Sequence, residues 1–303
     1  MKNELSISVV VIVKTRTQQL VRLIKQFEES SLPPNELVVV WMSSPSDFSL
    51  LKSEHFPIVH KFESTGGLEI ARARNKGLSA ATSSHCLYLN VESVISPLLL
   101  EQFAKTWTER CVLTTKVFCV EKTLLDSPFA EIEANYHRVG CIGEHKTFSV
   151  NNNPSMFFIA KRDVDSIGGF DENYSGFGIN DEDFYQTCLK AGLVMEKVDT
   201  ITFIPNREHY QCPINHLVDF VRNAELFHQK WGHYPCRDVL SRFADLGLIN
   251  DDFQTSTIHV LRLPTEEERR AYEFSTLLPP EVHTSDNNKS VTDASMNNAI
   301  IHH

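Results

Sequence analysis

Two runs of β-branched apolar residues, Ile7–Val13 (ISVVVIV) and Glu36–Met42 (ELVVVWM), constrain this chain more than any other feature. Neither run alternates apolar with polar residues, so each reads as a strand covered on both faces, as in a parallel sheet held between helical layers. Between them, Gln18–Glu29 places Leu20, Val21, Leu23, Ile24 and Phe27 at helical spacing, and Leu32-Pro33-Pro34 ends that helix. Strand, helix and strand make a βαβ unit, whose crossover is expected to be right-handed. The alternation continues through a third strand at Ile58–Phe62, a helix at Leu68–Ala81 (LEIARARNKGLSAA) and a fourth strand at His85–Leu89. A helix then runs from Pro97 through Trp107, and Cys111–Val120 reads as a further strand. This order predicts an α/β fold, a doubly wound and mainly parallel sheet with its ligands beyond the C-terminal strand ends. The polar loops at Thr15, Ser43 and Asn90 all fall on that edge.

From Glu121 to Ser149 the pattern weakens, and Val150–Lys161 reads as a strand feeding the stretch Gly168–Phe184, GGFDENYSGFGINDEDF. Glycine permits a positive φ and close backbone approach, so Gly176 and Gly178 mark a tight loop pressed against a neighbour. Asp181, Glu182 and Asp183 follow where a helix begins, and first-turn carboxylates suit the helix dipole. A cap needs one or two of them. Three in a row behind an aromatic glycine loop point to a substrate or catalytic loop. Beyond it the chain reads as a helix to Ala191, a strand at Ile201–Pro205, and a loop at Asn206–Cys212. A helix at Leu217–Lys230 follows, with Val218, Val221, Leu226 and Phe227 as core candidates. Asp238–Leu246 is again helical, Ile258–Leu263 is a short apolar run, and the tail from Pro279, rich in Asn, Ser, Thr and Asp, is expected to be disordered.

A chain of 303 residues that is 42% hydrophobic can bury a substantial core. Its 39 acidic residues outnumber 29 basic ones, and a net charge of −10 argues against a nucleic-acid partner. It does not exclude phosphate ligands held by a divalent metal or by local basic residues. The seven cysteines are far apart with no CxxC pair, the usage of reduced thiols in a cytosolic protein. The N-terminal apolar run is too short, and too soon followed by charge, for a signal peptide or membrane span.

Four elements line up in order. They are the ARARNKG helix, the strand ending in Asn90-Val91-Glu92, the GGFDE…GFGINDEDF loop, and the His-bearing loop NREHYQC behind it. Together they resemble the GT-A nucleotide-sugar glycosyltransferases, nearest to the family 2 type with a galactosyltransferase-like C-terminal half. That pattern runs strand, A-R-N-x-G helix, strand ending in D-x-D, then GGFDE…GWGxEDxDL…G. The resemblance covers about Ser8 to Gly232. It implies a GT-A, Rossmann-like domain over 1–232, with a nucleotide-binding half (1–120) and an acceptor or catalytic half (121–232). A C-terminal helical extension (233–278) and the tail (279–303) complete the division.

Carried over by position, the resemblance implies that Asp181 is the general base that deprotonates the acceptor hydroxyl in an inverting transfer. Asn180 stands where the pattern has Glu and faces the acceptor, and Phe177 replaces a Trp that serves as a sugar platform. Asp183 matches the last acid, either touching the acceptor or bracing the loop, while Glu182 occupies a variable position expected to be solvated. Asn90-Val91-Glu92 stands in for D-x-D, so Glu92 becomes the carboxylate expected to ligate Mn²⁺ or Mg²⁺, with His209 as imidazole partner and His216 as a nearby competitor. Without a metal, Arg72, Arg74 or Lys76 would have to neutralise the leaving diphosphate. Thr15 and Arg16 are expected at the nucleoside, Ser43 at the end of the second strand with Asp47 displaced from it, and Arg74 near the ribose or diphosphate. Uridine is the commonest base of such enzymes, which favours a UDP-sugar over a GDP-sugar.

Three functions follow. One is a metal-assisted, inverting glycosyltransferase acting on a glycan or lipid-linked acceptor in polysaccharide biosynthesis. Such a protein is expected in the cytoplasm, with at most peripheral contact at the inner membrane face. Another is a non-catalytic binding or scaffold protein of the same fold, suggested by the degenerate D-x-D. The third is a nucleotidyl-transfer enzyme, which would want a glycine-rich phosphate loop where this chain has VKTRTQQ.

Overall fold

Alternate residues of the first strand face opposite helical layers, and the rest of the architecture follows from that. The computed structural model describes residues 5–46, 50–63, 67–139, 156–205 and 213–274. Strand β1 (Ile7–Val13) pairs in parallel with β2 (Glu36–Trp41) on one side and with β4 (His85–Leu89) on the other, and β2 pairs in parallel with β3 (Ile58–Phe62). Val9 and Val11 point into one core with Leu37, Val39, Leu87 and Leu89, under helix α1 (Thr17–Glu28) and helix α3 (Leu99–Thr106). Val10 points into the other with Val38, Val40, Cys86 and Tyr88, under helix α2 (Ile70–Ala80). Helix α1 buries Leu20, Leu23, Ile24 and Phe27, each contributing roughly 2 kcal/mol.

The sheet has eight strands in the order β3-β2-β1-β4-β7-β6-β8-β5. Strand β7 (Met156–Ala160) runs antiparallel between β4 and β6 (Cys111–Val120), and β6 pairs in parallel with β8 (Val194–Pro205). The short β5 (Val94–Ile95) closes the edge against β8. The sheet is thus mixed α/β, with a parallel N-terminal half. β1 and β4 are neighbours although β2 and β3 lie between them in sequence. Winding therefore reverses at that pair, and a crevice opens beyond their C-terminal ends.

Several elements depart from the sequence expectation. Helix α4 (Phe129–Val139) lies in the stretch of weak pattern. Helix α5 (Lys161–Ile167) starts straight from Ala160, where a strand was expected to continue to Lys161. Strand β8 begins at Val194 rather than Ile201, because its first half is an exposed, charged segment recruited by β6. Val218 is 55% exposed and takes no part in the core. Helices α6 (Asn180–Lys190), α7 (Leu217–Trp231), α8 (Arg237–Asp245) and α9 (Glu266–Phe274) complete the chain. Residues on both sides of Gly232 share one core, in which Tyr174, Ile179, Phe220 and Phe227 pack with Tyr234, Leu240, Phe243 and Phe253. Cys86, Cys111, Cys119, Cys188 and Cys236 are in no disulfide, and Cys141 and Cys212 lie outside the described residues. No helix among the described residues is long and apolar enough to cross a membrane.

Candidate functional site

The loop before α6 is held by the helix it presses on. Gly176 and Gly178 have φ of +76° and +89°, and a Cβ on them would lie 2.3 Å from the Asp219 carboxylate carbon and 2.7 Å from the Phe220 ring. The neighbour those glycines approach is therefore the first turn of α7. From the same helix, the buried Asn223 donates from Nδ2 to the carbonyls of Ser175 (3.0 Å) and Gly178 (3.1 Å). Asp219 accepts from the Phe177 amide at 3.3 Å. Ile179, the residue before α6, also has φ +69°, an outlying conformation for a β-branched residue. Strain of this kind, of order 1–3 kcal/mol, gathers at functional sites. Asp219 and Asn223 escaped the sequence reading, although two small polar residues four apart on an apolar helix face are a usable signal.

The three carboxylates of the first turn of α6 have three different surroundings. Asp183 is 1% exposed and accepts from Tyr174 Oη (3.1 Å), Trp231 Nε1 (2.8 Å) and Lys230 Nζ (2.9 Å). Its oxygens are thus bonded inside the protein, an arrangement that braces the loop. Glu182 is buried rather than solvated, and the Cys236 thiol donates to its Oε1 at 3.2 Å. Burial, and next the neighbouring Asp181 charge, push the Glu182 carboxyl up to about 7. Asp181 alone keeps substantial exposure, 29% of its side chain.

Asp181 is gripped from below by α2. Arg74 donates from Nη1 to Oδ1 (2.5 Å) and from Nη2 to Oδ2 (3.2 Å), with its guanidinium carbon 4.8 Å from the ring centres of both Tyr88 and Phe170. Burial opposes the charged guanidinium, yet the Asp181 carboxylate, with Tyr88, holds its pKa above the ordinary arginine value. Arg74, expected at the ribose or diphosphate, is buried and bonded to Asp181. The other two cations of α2 are half-exposed, Arg72 paired with Glu172 at 3.5 Å and Lys76 with the buried Glu63. Asn75 bonds the loop directly. Its Oδ1 accepts from the Phe170 amide (2.8 Å), and its Nδ2 donates to the Phe170 carbonyl (2.8 Å) and to Glu172 Oε1 (2.9 Å).

The remaining expected residues fall into two groups. Phe177, half-buried, is stacked on His216 with ring centres 4.4 Å apart and planes 14° from parallel. His216 also lines a cavity of about 130 Å³ with Ile214, Asp219, Leu263, Pro264 and Arg269. Asn180 is buried, donates to the Gly178 carbonyl at 3.1 Å, and its Oδ1 has no partner among the described residues. At the sheet edge, Thr15, Arg16, Ser43, Asn90 and Glu92 follow β1, β2 and β4. Arg16 Nε donates to Glu92 Oε1 at 3.1 Å and Arg16 Nη1 to Thr15 Oγ1 at 3.2 Å, while Asn90 Oδ1 accepts from the Glu92 amide at 2.9 Å. His209 and Asp47, and the tail from Pro279, lie outside the described residues.

Among the described residues, this edge offers a divalent cation few oxygen ligands, and His209, the expected imidazole, lies outside them. Such a cation needs several oxygen ligands. Glu92 is 5% exposed and already carries a guanidinium, the Asn90 oxygen is turned onto its own turn, and no cluster of three His, Cys, Asp or Glu able to hold a metal occurs among the described residues.

A family model described as "Glycosyl transferase family 2" matches residues 8–164, and one described as "N-terminal domain of galactosyltransferase" matches residues 154–211. No curated protein sequence matches significantly. Among solved structures, S. aureus TarS 1-349 in complex with UDP-GlcNAc is similar with a TM-score of 0.57 at 13% identity, over 90% of this chain and 79% of that one. GalNAc-T7 with UDP, GalNAc and Mn2+ has a TM-score of 0.51 at 12% identity, over 68% of this chain and 45% of that one. The mannosyltransferase PcManGT from Pyrobaculum calidifontis, in complex with GDP-Man and Mn2+, has a TM-score of 0.51 at 15% identity, over 74% and 65%. The chain therefore spans less than half the length of the GalNAc-T7 chain. These likenesses are of the GT-A fold.

Proposed function

Since the chain belongs to glycosyl transferase family 2, we propose that it moves a sugar from a nucleotide-diphosphate donor to a hydroxyl of a glycan or lipid-linked acceptor, with inversion at the anomeric carbon. The observation that carries this reading is the sorting of the three acids. Of Asp181, Glu182 and Asp183, one is presented and two are withdrawn into the protein. A single displacement at an anomeric carbon uses one carboxylate beside the incoming oxygen, whereas double displacement would need a second as nucleophile.

In this mechanism the donor lies in the crevice beyond β1, β2 and β4, against Thr15, Arg16, Ser43 and Asn90. The acceptor docks toward Phe177 and Asn180. Each Asp181 oxygen has a second lone pair besides the one facing Arg74, so the carboxylate can take the hydroxyl proton as the new C1–O bond forms and the nucleotide diphosphate departs. Arg74 is a positioning residue: its planar fork fixes the orientation of the carboxylate. The cavity joining His216 to Leu263, Pro264 and Arg269 supports counting these residues of the extension with the acceptor surface. The division into a nucleotide-binding half (1–120) and an acceptor half (121–232) follows the same reading. Uridine nucleotides in two of the similar structures make UDP-sugars the first donors to test, ahead of GDP-sugars. Polysaccharide biosynthesis in the cytoplasm is the setting that suits such a transfer. The Mn2+ in two of those structures raises the question of a metal here, and the ligand set at Glu92 does not favour one.

The test pairs nucleotide release from UDP- and GDP-sugars with titration of the nucleotide on wild type and Asp181→Asn. The variant is expected to lose turnover by roughly 10²–10⁴-fold while binding the nucleotide within about threefold of wild type. Full turnover by the variant would sink the assignment of Asp181. Tight nucleotide binding by a wild type that turns over no donor would favour the scaffold reading, for which the replaced acids at Asn90-Val91-Glu92 speak.

A further inference from the structure

We propose that Arg16 supplies the positive charge that a divalent cation would otherwise bring to the strand-end carboxylate, so that this chain binds a nucleoside diphosphate without metal. The inference deepens the donor reading above and rests on it. Arg16 and Glu92 stand 76 positions apart yet meet at the C-terminal ends of β1 and β4, the adjacent parallel strands where the winding of the sheet reverses. That crevice is where an open α/β sheet receives its ligand.

The pair is built rather than incidental. Helix α1 begins directly after Arg16, and its Gln26 fixes the turn that carries Glu92. Gln26 Nε2 donates to the Ser93 carbonyl at 3.3 Å, and Gln26 Oε1 accepts from the Ile95 amide at 2.8 Å. The Asn90 side chain closes the same turn from the other side. Glu92 is therefore held inside at 5% exposure, and the Arg16 side chain, 45% exposed, lies over it.

Charge decides what such a pair can receive. A buried carboxylate with no cation would repel a diphosphate, and a cation site requires that carboxylate to be offered to a metal. Here Glu92 is instead neutralised by a guanidinium. The bonds to Glu92 and Thr15 use the Nε–H and one Nη1–H of Arg16, and the rest of its fork matches two phosphate oxygens. Helix α1 has no acidic residue in its first turn, so its positive end adds to the same field. Glu92 becomes the anchor that orients Arg16 and no longer a metal ligand.

The experiment is calorimetric titration of UDP and GDP, in EDTA and in Mn²⁺, on wild type, Arg16→Gln and Arg16→Lys, with thermal unfolding of each to show that it is folded. The expected result is binding of one nucleotide in EDTA that changes less than about threefold in Mn²⁺. Arg16→Gln should weaken it ~10-fold or more in either condition, and Arg16→Lys should recover part of the loss, since it restores charge without the fork. Binding that appears only with Mn²⁺ would overturn the proposal and leave the donor reading standing, as would Arg16→Gln binding like wild type in EDTA. Absence of binding by either nucleotide in both conditions would remove the donor reading and this proposal with it.

Discussion

Glu182→Gln should stabilise this protein at alkaline pH and do nothing at acid pH. Glu182 sits in the first turn of α6, is 9% exposed, and accepts a hydrogen bond from the Cys236 thiol. Burial and then the Asp181 charge raise its carboxyl from the ordinary 4.5 to about 7. The folded protein thus holds this proton more tightly than the unfolded chain. The stability from this proton is fully present below pH 4.5 and is lost as the pH rises through about 7. At about 1.4 kcal/mol per pKa unit, the whole change is roughly 3 kcal/mol. Glutamine has nearly the same shape, keeps an acceptor for the thiol, and cannot ionise. Urea unfolding of both proteins between about pH 5 and pH 8 should show curves that coincide within ~1 kcal/mol at the acid end and diverge to ~3 kcal/mol in favour of the variant at the other. Because the group is buried, added salt should leave the divergence in place. Parallel curves would refute the reasoning: Glu182 would then be an ordinary carboxylate, open to water.

Two further substitutions test how the loop is held. Gly178→Ala demands φ near +89° from a residue with a side chain and drives its Cβ against Phe220, itself packed edge-on to Phe243 at 5.6 Å. A loss of about 2 kcal/mol or more is expected, and an unchanged melting temperature would disprove the close approach. Asp183→Ala strips Tyr174, Lys230 and Trp231 of a shared buried acceptor and should cost about 3 kcal/mol in urea unfolding, and a loss below ~1 kcal/mol would show that the brace carries little.

The N-terminal half of the sheet was legible because its strands are apolar on both faces, a pattern that neither a loop nor an amphipathic helix produces. Strand β8 hid its first half because an exposed strand segment has no apolar pattern of its own. Helix α5 hid because no glycine or proline separates it from β7. In the loop, the glycines and the acid cluster announced a site, yet the fates of the acids depend on distant partners. Glu182 is buried by Cys236, 54 positions on, and Asp181 is paired with Arg74, 107 positions back. Local spacing holds no information about either. The same holds for Arg16 and Glu92, which the sequence placed on one edge without showing that they touch.

The side chain of Asn75 joins helix α2 to a loop 95 positions away, making to Phe170 the paired bonds that one strand makes to another. Closing so large a span is entropically slow, and the bond cannot exist in a nascent chain that has not reached Gly168. The carboxylate of Asp181 therefore acquires its setting only once α2 and the loop have both been made and brought together. A loop grafted from a relative would need its own helix to come with it, since helix and loop here form one inheritable part.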